Sequence, residues 1–163
     1  DLSAMVWFSW DENALYFFAK IKDDSLVFQK SGANIWKDDL FEIFVDPEGD
    51  GLDWQDKRDF QIGFRPDEET DKVAAWSWFQ GGEDPIELNQ AVARSFVDPD
   101  GYSLEGAIRW RYLNITPKAG MEIRLSPAVH DIDRDRSEGK LQWFFRNEDG
   151  LKRFALGKVV LEK

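Results

Sequence analysis

The chain has 163 residues and carries 21 Lys+Arg against 32 Asp+Glu, a formal net charge of −11. Its length suits one domain with a core of its own, while its charge repels phosphate backbones and makes nucleic acid and anionic membrane poor partners. With no Cys and a single His, disulfides, thiolate catalysis, cysteine–zinc sites and histidine-based triads are excluded, and no apolar run approaches the roughly eighteen residues of a membrane helix.

Period-two alternation dominates from the first residues onward. In chain order it predicts strands at 3–10, 14–22, 39–46, 58–65, 72–79, 101–110, 121–129, 140–146 and 154–161. Turn-forming clusters separate them: Asp11-Glu12-Asn13, the run from Pro47 to Gly51, Gly81-Gly82, Asp98 to Gly101, and Asp149-Gly150. One helical turn is expected around 111–113, before Pro117. Many short strands without a long amphipathic helix predict an all-β, antiparallel sandwich, jelly-roll-like or immunoglobulin-like, formed by residues 1–163 as one domain. The chain opens at Asp1 already in a strand-like pattern, as expected of an exported polypeptide whose signal peptide has been removed.

The alternation also assigns faces. In 39–46, Phe41, Ile43 and Val45 point one way, and Leu40, Glu42 and Phe44 the other. In 58–65, Phe60, Ile62 and Phe64 oppose Asp59, Gln61 and Gly63. In 72–78, Val73 and Ala75 oppose a row containing Trp76 and Trp78. Several strands thus carry an apolar face and a second face mixing Glu, Gln and Trp. Polar groups that bond hydroxyls, beside aromatic planes that take the C–H face of a pyranose, are what a sugar site needs. Eight Trp exceed the needs of one core, so some are expected at the surface. Trp36, just before a strand and beside Asp38 and Asp39, is a candidate contact, and Trp110 and Trp143 are assigned to the core.

Two acidic runs offer oxygen ligands at alternate positions. Asp46, Glu48 and Asp50 precede Gly51, and Asp53, Asp56 and Asp59 could complete a shell of six to eight oxygens around calcium. An EF-hand is excluded because the twelfth position is Lys57. Asp131, Asp133 and Asp135 repeat the pattern, but Arg134 and Arg136 interleave them, so an ion-paired loop competes with a metal site there.

The segment Ile35-Trp36-Lys37-Asp38-Asp39-Leu40-Phe41-Glu42-Ile43-Phe44-Val45-Asp46 resembles the family 9 carbohydrate-binding modules and their DOMON-like relatives. Trp10-Asp11 with Leu15-Tyr16 is similar to the family's "WD…LY" hairpin. Gly101-Tyr102 through Trp110, Thr116-Pro117 to Gly120, Val129-His130-Asp131, Leu141-Trp143 and Leu156-Gly157 to Leu161 match further pieces in the family's order. The resemblance implies a non-catalytic module outside the cell, at its surface or in the periplasm. It would bind poly- or oligosaccharide, contain structural Ca2+, and join a catalytic or surface domain in the native chain. It assigns Trp36 and Glu42 to the sugar site. Gln61 falls where the best-known member places an arginine. A second tryptophan is expected near 147–153, where this chain has Gly150 and Leu151. Two alternative functions are carried forward: an accessory module packed on a catalytic domain, and a haem-binding electron-transfer domain using Met5, Met121 or His130.

Overall fold

A computed structural model of the chain describes residues 2–50, 58–80, 86–87, 91–133, 136–148 and 151–163. Its strands are β1 (Ser3–Trp10), β2 (Ala14–Lys22), β3 (Leu40–Asp46), β4 (Phe60–Pro66), β5 (Val73–Gln80), β6 (Ile86–Glu87) and β7 (Ala91–Asp98). They continue with β8 (Gly101–Arg109), β9 (Glu122–Asp133), β10 (Arg136–Gln142), β11 (Phe145–Glu148), β12 (Leu151–Phe154) and β13 (Gly157–Val160). The helical element is a short 3-10 turn, Gly32–Lys37.

Two antiparallel sheets form the sandwich. One has the order β1-β2-β8-β7; the wider one runs β10-β9-β3-β4-β5-β6, and β11 and β12 form a separate hairpin. β9 is long enough to pair twice along one edge, with β10 beside its second half and β13 beside its first. The predicted faces meet where the sheets pack. Leu15, Phe17, Ala19 and Ile21 from β2 and Leu104 and Ile108 from β8 lie against Phe41, Ile43, Phe64 and Val129 of the wider sheet. Phe17 sits 4.7 Å from Phe64 and 5.5 Å from Phe41, centroid to centroid, so aromatic packing ties the layers at their centre. Gly106 makes room for it: a Cβ there would lie 2.5 Å from the Phe17 ring.

The predicted two-sheet antiparallel sandwich is therefore the observed fold. β7 lies outside the predicted strands because its alternation is blurred: Val92 and Phe96 face solvent while Ser95 is buried. The predicted 140–146 strand is two elements, since β10 starts earlier and stops at Gln142, where Trp143 N–H turns to the Pro127 carbonyl. Trp110 is buried as expected. Trp143 is not core: it is exposed, because β10 is the edge strand of its sheet.

Candidate functional site

β3 is buried on both faces, which the alternation alone did not require. Its core face is Phe41, Ile43 and Val45; the opposite face carries Leu40, Glu42 and Phe44, flanked by β4 and β9. Register places Glu42 opposite Gly63 and Ala128, two small residues that leave its carboxylate room to be approached from the side. Gln61 Nε2 donates to Glu42 Oε1 at 2.8 Å, Lys140 Nζ donates to Oε2 at 2.7 Å, and His130 Nε2 lies 2.7 Å from the same oxygen. Four strands thus converge on one carboxylate.

The electrostatics follow from this geometry. Burial pushes the Glu42 carboxyl up, but the hydrogen bond and charge of His130, with those of Lys140, more than offset it and hold it at about 2. Held ionised, the carboxylate acts as the acceptor that gathers the side chains around it. Glu42 is wholly inaccessible, whereas Gln61, His130 and Lys140 each keep part of their side chain open. The expected role of Glu42 is therefore refined: it is the floor that orients three polar side chains, rather than a carboxylate lying open to the ligand. Lys140 also lies 4.8 Å from the Phe44 ring, which steadies the ammonium over the sheet.

The 3-10 turn brings the tryptophans to the same side of the wider sheet. Trp78 Nε1 donates to the Ala33 carbonyl at 2.8 Å, fastening the turn to β5. In a 3-10 turn side chains three apart eclipse, so Trp36 stands on the side of Ala33 and is 48% exposed. Beneath it Ile35 is buried as a plug. Asp38 and Asp39, beside Trp36 in sequence, are buried struts. Asp38 Oδ2 accepts the Lys30 N–H, and Asp39 accepts the N–H groups of Val27 and Ile132.

Trp76 and Trp78 point away from the core, as the alternation predicted. A bulge between Gln61 and Ile62 leaves Trp78 as the extra residue of β5, and its ring lies over Gly63. A Cβ at Gly63 would come within 2.4 Å of that ring. Gly63→Ala is expected to displace Trp78, loosen the turn carrying Trp36 and cost about 1–3 kcal/mol. A lower urea midpoint together with a blue- or red-shifted tryptophan emission would register both effects. Trp76 is half-buried with Nε1 enclosed and unpartnered, so it is packed in place rather than held by a polar contact.

The first acidic run is put to another use. Asp46 Oδ1 accepts the N–H groups of Glu48 and Gly49, closing a turn that needs the positive φ of Gly49. Glu48 and Asp50 both pair with Arg58. Among the described residues Asp46, Glu48 and Asp50 do not bring three oxygens within ligand distance of one another, and Arg58 places a positive charge beside two of them. Asp53 and Asp56 lie outside the described residues. Asp59 is buried at the start of β4.

The second run does gather, with a partner that spacing could not reveal. Asp23, Asp131 and Asp133 bring carboxylate oxygens within 4.8 Å of one another. Asp23 Oδ2 and Asp133 Oδ1 are enclosed without a hydrogen-bond partner, and so is the Tyr102 hydroxyl. Burial, with the charge of Asp133, raises the Asp23 carboxyl, and burial reinforced by Asp23 and Asp131 pushes Asp39 up to about 7. Three converging carboxylates, two of them with an enclosed oxygen that no hydrogen bond satisfies, are hard donors that fit a calcium ion, which takes six to eight such ligands. Arg134 and Asp135 of the expected ion-paired loop lie outside the described residues.

Sequence reasoning missed His130 and Lys140 at the polar cluster and Asp23 at the acidic one. The alternation gave their faces, but only the pairing of β9 with β3 and β10 brings residues 42, 130 and 140 together. The residues considered for haem are separated: Met5 is exposed on the outer face of the four-stranded sheet, Met121 precedes β9, and His130 is engaged with Glu42 on the far side of the molecule.

A sequence profile for the family described as "Carbohydrate family 9 binding domain-like" matches residues 1–162. The chain is 31% identical over 143 residues to endo-1,4-beta-xylanase A of Thermotoga maritima, covering 86% of this chain and 12% of that protein. It thus spans about an eighth of that relative's length. Its fold is similar to a family 9 carbohydrate-binding module from Caldicellulosiruptor kristjanssonii solved in complex with cellotriose. The TM-score is 0.75 at 20% identity, covering 99% of this chain and 75% of that one. The same holds for a family 9 module from that organism in complex with glucose, with a TM-score of 0.73 at 21% identity, covering 99% and 77%.

Proposed function

The chain belongs to the carbohydrate family 9 binding domain-like family, and from that premise we propose that it seats a neutral sugar against Trp36, with Gln61, His130 and Lys140 as its hydrogen-bonding groups. The module itself is non-catalytic and binds carbohydrate. The observation that carries the seat is an exposed tryptophan on a turn tethered to the sheet whose outer face holds three polar side chains oriented by one buried carboxylate. The indole takes the apolar face of a pyranose, and the polar groups meet its hydroxyls. Trp76 and Trp78 build the wall that holds the seat. The relatives' complexes with glucose and cellotriose make glucose-based β-linked oligosaccharides the first ligands to try.

Attachment to a polysaccharide-degrading enzyme, outside the cell, is part of the same reading and is supported by the xylanase relative. A shallow one-sided seat implies micromolar to millimolar dissociation constants, about −8 to −4 kcal/mol. Calorimetric titration with glucose, cellotriose and xylo-oligosaccharides tests the function: saturable binding to at least one is expected, and heat-silent titrations with all of them would contradict it.

Calcium belongs to the reading as a structural ion. Asp23, Asp131 and Asp133 would hold it, with its charge neutralising carboxylates that link the loop after β2 to the end of β9. Millimolar CaCl2 is expected to raise the melting temperature and EGTA to lower it, by about 3 kcal/mol of stability when the ion is at a hundred times its dissociation constant. In Asp23→Asn the calcium increment should vanish. An increment that survives this substitution would move the ion elsewhere.

A further inference from the structure

The outer face of the four-stranded sheet is the least expected surface of the molecule. Sheet faces turned to solvent ordinarily alternate to polar residues, yet here Met5, Trp7, Phe18, Val92 and Phe96 are all exposed, Phe96 at 66%. Trp7 and Phe18 are cross-strand partners with ring centroids 5.4 Å apart. Phe96 lies across the sheet, in the row formed by Met5, Lys20, Ser103 and itself.

Cations are interleaved with these apolar groups. Lys20, Lys22, Arg94 and Arg109 point outward on the strands beside Glu105 and Asp98, while Asp71 and Asp11 reach the rim of the face from the flanking turns. Arg94 is paired with Asp71, whereas among the described residues Lys20 and Lys22 pair with no carboxylate.

We infer that this face is a second glycan platform, selective for acidic polysaccharide. Sugar rings would lie on the Trp7–Phe18 pair and on Phe96, with uronate carboxylates on Lys20 and Lys22. Two features favour this occupant over a second copy of the chain. Four strands spaced about 4.8 Å apart and eight residues long present roughly 500 Å², below the roughly 800 Å² per partner of a stable protein interface. A second copy would also have to cover Lys20 and Lys22, which find no carboxylate on their own face. A flat, anionic polymer meets neither obstacle. The platform stands apart from the Trp36 seat, on the opposite side of the sandwich.

Affinity electrophoresis in gels containing polygalacturonate, with cellotriose titration in parallel, tests this inference. The unmodified protein should be retarded by polygalacturonate, and retardation should fall as NaCl rises from about 50 to about 500 mM, as screening shortens the reach of Lys20 and Lys22. The double variant Trp7→Ser/Lys20→Glu should lose at least tenfold in polygalacturonate affinity yet keep its cellotriose affinity, which also shows that it is folded. Trp36→Ala should behave in the opposite way. The inference is overturned if polygalacturonate gives no retardation, if the double variant is retarded equally, or if light scattering shows a dimer that the double variant abolishes, which would assign the face to a second copy.

Discussion

Trp36→Ala is expected to weaken oligosaccharide binding by roughly thirtyfold, about 2 kcal/mol, with almost no change in stability. The argument rests on two properties of one side chain. Trp36 is 48% exposed and makes no hydrogen bond that the fold uses, so truncation leaves no cavity in the core and should move the melting temperature by less than about 2 °C. Its plane is the only exposed aromatic of the turn Gly32–Lys37, which Trp78 fastens to β5. Removing the plane removes the apolar contact with the sugar while Gln61, His130 and Lys140 stay in place. Calorimetry and thermal melting on the same preparations check both halves. Lost affinity accompanied by a large drop in melting temperature would instead make Trp36 a packing residue.

Glu42→Ala is expected to do the reverse, damaging the fold first and binding as a consequence. The carboxylate is fully buried and holds three partners, so its removal strands the Lys140 ammonium and His130 over a low-dielectric floor. Breaking one side of such a buried network costs about 3–5 kcal/mol, which corresponds to a fall of about 6–20 °C in melting temperature for a domain of this size. The pH dependence carries its own sign. Because the folded-state carboxyl is held at about 2, below its ordinary 4.5, Glu42 contributes stability above pH 4.5 and loses it as the pH falls toward 2. Urea midpoints of the unmodified protein should therefore decline through that acid window, and Glu42→Gln should show a shallower decline. Equal slopes would mean that the network contributes nothing net. The pair Glu42→Gln/Lys140→Met, which removes both members of the ion pair, should recover part of the loss.

Much of this arrangement is legible in the sequence because strands have a period of two. Phe41, Ile43 and Val45 declare the core face of β3, and Glu42 the other face, before any coordinates are known. Trp36 and the "Asp-Asp-Leu-Phe-Glu" step identify the family through local order alone. What alternation cannot supply is register between distant strands. Glu42 meets His130 and Lys140 only because β9 pairs with both β3 and β10, and Asp23 meets Asp131 and Asp133 only through the packing of the end of β2 against the end of β9. The same limit applies to the first acidic run. Asp46, Glu48 and Asp50 have the right spacing for an ion, but Arg58 folds back onto two of them. Trp143 is exposed for a related reason: closing a strand implies burial only if the strand is interior to its sheet.

The location of the sugar seat is most directly tested by nuclear magnetic resonance of the 15N-labelled protein during titration with cellotriose. The account predicts that the indole N–H of Trp36, the side-chain amide of Gln61 and the ring of His130 shift together along one saturation curve, while the indole N–H of Trp7 stays fixed. Shifts confined to Trp7 and its neighbours, with Trp36 and Gln61 unmoved at saturation, would contradict it.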